Sequence, residues 1–201
     1  MIKRNIYILV LLVASLSFVF FMFSRSGDNP YMKVYPSGEG VGFAGCEFFS
    51  DKYDSGFYRL RMNPDECRAV RYKGTSSIVF FVDYPSFHVV REGQAGGGYP
   101  VYFYLEYVSP DGYDGQRHLS GKEPKVSQDG VETYEFAGFP ERKFIGRDGA
   151  SVYLMDFEST VRANRVYKGK FLVFYQYSRD FKDIKALDDF ALGVLDKVVV
   201  E

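Results

Sequence analysis

The chain contains no tryptophan, only two histidines and only two cysteines in 201 residues. Each scarcity closes a class of chemistry. Structural zinc needs four clustered thiolate or imidazole ligands. Cys46, Cys67, His88 and His118 are too dispersed to supply them, so no metal is expected. Thiol redox chemistry uses a Cys-x-x-Cys pair or a thiol beside a base, and neither is present. The Gly-x-Ser-x-Gly elbow and the His-Glu-x-x-His signature are also missing. Residues 93–98, Gly-Gln-Ala-Gly-Gly-Gly, precede a strand pattern and lack the Gly-Lys-Ser/Thr ending of a phosphate loop. No cofactor is expected, and no catalytic constellation can be named.

A basic surplus is missing as well. Beyond residue 26 there are 22 basic against 26 acidic residues. Non-specific nucleic-acid binding rests on a dominant basic surface, so nucleic acid is set aside as a partner. Asp111 and Asp114 lack the ligand spacing of a calcium loop. Asp188 and Asp189 occupy adjacent helical positions, which splay apart, and read as a solvated helix face. His88 or His118 could act as a general base where the fold supplied a nucleophile, which keeps an envelope hydrolase as one alternative.

What the sequence does hold is aromatic: 20 Phe and 17 Tyr. Aromatic and β-branched residues suit half-buried pleated surfaces, so the composition points to strands. Residues 6–23 form an uncharged apolar run of 18 residues preceded by Lys3 and Arg4. As a helix it would reach about 27 Å, close to the thickness of a bilayer core. Positive flanks stay cytoplasmic, which predicts a single-pass inner-membrane anchor with everything after it exported. A cleaved signal peptide would export the same residues, although its apolar region is usually shorter. The expected organisation is an anchor over residues 1–26, a Gly/Pro/Ser-containing tether over 27–45, and a periplasmic α+β domain over 46–201. Cys46 and Cys67, an even pair in an exported domain, are expected to form a disulfide.

Strands are expected over residues 77–83, 87–92, 101–108, 131–137, 143–146, 151–157 and 170–177. The Asp148-Gly149 dipeptide marks a hairpin. From residue 184 the period changes: Ile184, Leu187, Phe190, Ala191, Val194, Leu195 and Val198 share one helical arc, with Asp183 or Ser178 as its cap. Gly193 falls inside this helix at a cost of about 1 kcal/mol relative to Ala. The fold class is therefore α+β, a mostly antiparallel sheet with a C-terminal amphipathic helix across one face.

Residues 58–62 and 67–72 alternate about Asn63-Pro64-Asp65-Glu66 and read as a further hairpin. In that pairing Arg59, Arg61 and Arg68 share an outward face with Phe57, Val70 and Tyr72. Arginine among aromatics is the composition of protein-interface hot spots. Arg59, Arg61, Arg68, Phe57 and Tyr72 are thus the candidate partner-binding residues, against the alternative of an ordinary charged sheet face.

The apolar run 6–23, the Cys46/Cys67 pair, the aromatic β-domain and the ending Phe171-Leu-Val-Phe-Tyr-Gln-Tyr followed by a helix over 181–198 resemble the membrane-anchored periplasmic immunity proteins of type VI secretion effector–immunity pairs. The resemblance is architectural and transfers no site residue. It implies a binding protein that neutralises a secreted toxin or envelope enzyme. A structural or assembly subunit of an envelope complex is the alternative.

Overall fold

The structure, a computed structural model, describes residues 29–35, 44–50, 58–94, 98–108, 117–136 and 139–200. The expected anchor lies outside these residues, as do Phe57, Asp111 and Asp114. Among the described residues no helix is long and apolar enough to cross a membrane. The chain divides into Met1–Pro30 and Tyr31–Glu201, and every described strand and helix belongs to the second unit.

The fold is mostly antiparallel β-sheet with one long C-terminal helix, as the alternation and the change of period predict. A large sheet of ten strands is built from β4 (Arg71–Tyr72), β5 (Ser77–Tyr84), β6 (His88–Val90), β7 (Tyr99–Tyr107), β8 (Val126–Gln128), β9 (Val131–Phe136), β10 (Phe139–Ile145), β11 (Ser151–Asp156), β12 (Thr160–Tyr167) and β13 (Phe171–Ser178). Its order is β4-β5-β7-β13-β12-β11-β10-β9-β8, with β6 paired to β5 beside β4. The Asp148-Gly149 hairpin forms between β10 and β11, where Ile145 pairs with Ser151. Gly149 takes φ +82° there, a conformation that costs other residues a clash at Cβ.

Helix α2 (Ile184–Val198) starts at Asp183, whose carboxylate accepts from the Ala186 amide at 2.9 Å. Its buried residues Leu187, Phe190, Ala191, Val194, Leu195 and Val198 join one core with Phe80, Phe103, Ala163 and Tyr175 of the large sheet. Gly193 is explained by Phe87. A Cβ on Gly193 would lie 3.0 Å from the Phe87 ring, so the lost helix propensity makes room for an aromatic contact.

A second sheet of four strands runs β1 (Met32–Tyr35), β2 (Gly45–Phe48), β3 (Tyr58–Leu60) and β14 (Val199–Val200). It corrects the expected tether, since residues 32–35 and 45 are paired strand. β14 continues directly from α2, and Val199 pairs with Leu60. Tyr58 joins the two sheets: its hydroxyl donates to the Ser76 carbonyl, lies 3.2 Å from the Leu105 carbonyl and accepts from the Tyr107 amide at 2.8 Å.

The expected hairpin about residues 63–66 does not form. The segment after β3 is a short helix, α1 (Pro64–Ala69). Asn63 accepts from the Asp65 and Glu66 amides, while the Glu66 carboxylate accepts from the Asn63 amide at 3.0 Å. This capping box with Pro at the first helical position is a helix start, and it outweighs the alternation that mimicked a strand. Cys67 on α1 is bonded to Cys46 on β2, with both residues fully buried. The disulfide therefore ties α1 to the small sheet.

Candidate functional site

The correction at α1 breaks up the grouping of Arg59, Arg61, Arg68 and Tyr72, while its fifth member, Phe57, lies outside the described residues. Arg59 stays on β3, where it donates to Glu47 at 3.0 Å. Burial opposes ionisation of Glu47, but Arg59 and Tyr35 hold its carboxyl below the usual range. Arg68 sits on α1 and pairs with Asp65 one turn back at 2.8 Å. Tyr72 is buried, its ring edge-on to Phe48 and Tyr58. Arg61 is exposed on the link between β3 and α1. These residues do not share one outward face.

The histidines fall on different elements. His88, exposed on β6, has its Nδ1 3.9 Å from Glu66. It lines a groove of about 790 Å³ with Asn63, Arg68 and Arg91. Glu66, the carboxylate there, is already engaged by the Asn63 and Val89 amides. His118 lies on a short 3₁₀ turn, Arg117–Leu119, and its Nε2 is 2.6 Å from Glu141. Asp188, expected on a solvated face, is buried against Arg165 and Tyr175.

The large sheet itself assembles a different surface. Residues on its face away from α2 fall in cross-strand rows, because paired residues project to the same side. One row reads Phe81, Tyr102, Gln176, Arg162, Met155, Glu141 and Tyr134 across seven neighbouring strands. The next reads Val79, Tyr104, Phe174, Asn164, Tyr153 and Lys143.

This face has two halves. Over β9–β11, Leu119 packs with Tyr134, Tyr153 and Phe136, and Lys122 stands 3.6 Å over the Phe136 ring. Over β5, β7, β13 and β12 the rings are half-buried. Phe81 and Tyr102 meet edge-on at 5.4 Å, and Tyr104 and Phe174 at 5.6 Å. Burial pushes the Tyr102 phenol up, with Arg162 and Arg71 pulling it the other way. Met155 is 38% exposed beside Arg162.

At the end of these rows opens a cleft of about 610 Å³. Phe81, Tyr99 and Tyr102 line it from β5 and β7, and Thr160, Arg162 and Gln176 from β12 and β13. Tyr99 is 60% exposed, with its ring edge-on to Phe181. Gln176 donates to the Thr160 hydroxyl at 2.9 Å. Arg162 lies over the Phe157 ring at 5.1 Å.

No family model, curated protein or solved structure matches this chain.

The strand expected over residues 101–108 is present as β7, but its pattern did not show which residues Tyr102 and Tyr104 would meet. β12 carries Arg162 and Asn164 outward and Arg165 among its inward positions, so it showed no unbroken apolar stripe to flag it as a strand. Arg162 could only be placed beside Tyr102 once β13 was known to lie between them.

Proposed function

We propose that this chain is an exported binding inhibitor of the immunity type, which docks on a secreted antibacterial enzyme and blocks it. The observation that carries this reading is the open half of the large sheet's outer face. There the Phe81–Tyr102 and Tyr104–Phe174 ring pairs stand half-exposed beside Met155 and Arg162. Rigid aromatics, Met and Arg are the residues enriched where proteins bury contact area, and a sheet face holds them in fixed register at little further cost in ordering. The Cys46–Cys67 bridge suits an oxidising compartment, and the apolar run 6–23 supplies a membrane tether for the domain.

The test is affinity capture on the tagged full-length chain, kept in native membranes, from a culture secreting antibacterial enzymes. The expected result is a secreted enzyme held in a one-to-one complex whose activity falls to background as the chain is added. Phe81→Ala with Tyr102→Ala should weaken the complex by about 2 kcal/mol or more, the scale of a hot spot. Arg59→Glu with Arg68→Glu should leave it intact. Recovery of only the cell's own envelope proteins would favour an assembly subunit instead.

A further inference from the structure

Charge on the outer face is mostly balanced within the chain. Arg71, beside Phe81, pairs with Glu92 at the rim of the cleft. Lys143, further along the face, lies 3.6 Å from Glu132. Arg162 differs. Among the described residues no carboxylate comes within 4.0 Å of its guanidinium, although it is exposed and lines the cleft.

Its surroundings favour a specific kind of occupant. The Phe157 ring beneath the guanidinium, at 5.1 Å, restrains a plane that would otherwise sample many rotamers, and leaves its hydrogen-bonding edge free. Cross-strand neighbours Gln176 and Met155 flank Arg162 on β13 and β11. Gln176 is held in turn by Thr160. The remaining lining combines rings at Phe81, Tyr99, Tyr102 and Tyr177 with Ser159, Ser178 and the Glu92 carboxylate, whose charge Arg71 answers. A pocket part ringed by apolar surface strengthens an ion pair relative to open water. A planar guanidinium offers two parallel donors, and the group that answers both is a carboxylate.

We infer that the cleft beside Arg162 seats an aspartate or glutamate side chain presented by the partner protein. The inference rests on reading the chain as a binding inhibitor and names the chemistry that reading leaves open. The acidic side chain enters between the β7 and β12 contributions, its carboxylate forks onto Arg162, and its methylene stem lies against Tyr102 and Tyr99. The surrounding ring pairs supply contact area, and Arg162 supplies specificity: a neutral isostere in the same place would leave the guanidinium desolvated without a partner.

The test uses the full-length chain and the enzyme it captures. A photo-reactive benzoylphenylalanine in place of Ser159, at the cleft rim, is expected to cross-link a partner peptide containing Asp or Glu. Arg162→Gln should weaken the complex about tenfold or more at unchanged melting temperature. Arg162→Lys should fall between, because a point charge remains without the fork. Changing the cross-linked partner's Asp or Glu to its amide should cost as much alone as it does together with Arg162→Gln, the signature of one shared interaction. Affinity within about twofold of wild type for Arg162→Gln, while Phe81→Ala with Tyr102→Ala abolishes binding, overturns the inference and leaves the inhibitor reading standing. Failure to capture or inhibit any enzyme overturns both.

Discussion

Arg165 and Asp188 meet in the centre of the protein: Nη1 of Arg165 donates to both carboxylate oxygens of Asp188, at 2.8 and 2.7 Å, and both residues are at most 1% exposed. Arg165 comes from β12 and Asp188 from α2, so the contact pins helix to sheet. The Tyr175 hydroxyl donates to the same carboxylate at 2.8 Å, and Asp148 from the β10–β11 turn reaches Arg165 as well. Burial pushes the Asp188 carboxyl up, against the pull of Arg165 and Tyr175. Removing one member of such a pair strands the other without water. Arg165→Met or Asp188→Leu alone should cost about 3–5 kcal/mol, and the two together considerably less. Urea denaturation of the two single variants and the double variant checks this.

Gly146 is the glycine that makes room for this pair. A Cβ there would lie 2.8 Å from Asp188 Oδ2 and 2.9 Å from Arg165 Nη1. Gly146→Ala should therefore destabilise the fold by about 1–3 kcal/mol, as overpacking does. In an Arg165→Met/Asp188→Leu background, where the fixed ionic geometry is gone, the same change should cost less. Thermal unfolding of the four combinations separates the effects.

The Cys46–Cys67 bridge closes a loop across a sequence separation of 21 residues. The chain-entropy model assigns such a loop about 3 kcal/mol. Reduction, or the double substitution to Ala, should lower stability by about that amount. Scanning calorimetry with and without reductant gives the answer. An unchanged melting temperature would mean that α1 holds its place by packing alone.

Alkali should unfold the protein through its buried phenols. Burial, then the hydrogen bond to Asp196, pushes the Tyr167 hydroxyl up to about 12. Burial also raises Tyr58, Tyr175 and Tyr177. Each is protonated in the fold at pH values where the unfolded chain, with phenols near 10, has begun to ionise. The folded state then binds more protons than the unfolded one, so stability falls as pH rises. It should be nearly level with respect to these groups below pH ~10 and drop between pH ~10 and ~12. Absorbance of tyrosinate should rise together with loss of the far-ultraviolet strand signal. Smooth ionisation with the fold intact would refute the assignment.

Much of the fold is legible in the linear pattern. Ile184, Leu187, Phe190, Ala191, Val194, Leu195 and Val198 announce α2 by spacing alone, and of the two expected caps, Asp183 and Ser178, it is Asp183 that caps it. Asp148-Gly149 marks its hairpin, and Cys46 with Cys67 form their bridge. The failures have physical causes. Asn63-Pro64-Asp65-Glu66 supports either a turn or a capped helix, and only the reciprocal bonds of Asn63 and Glu66 decide between them. Asp188 looked solvated because its partner, Arg165, lies 23 residues away on another element. β12 went unread because its inward Arg165 breaks the apolar alternation, and a buried cation makes sense only when a carboxylate faces it.

The local code of this chain settled what local forces settle: which stretches extend, where the last helix begins, and which two sulfurs must meet. Backbone preference and hydrophobic period act over a few residues, so they survive in the linear pattern. The outer face was decided elsewhere. Phe81, Tyr102, Gln176 and Arg162 come from strands β5, β7, β13 and β12, and become neighbours only through the register of three strand pairings. Register is set by how the opposite face packs around α2, a balance summed over the whole core, and no short stretch of the sequence encodes it.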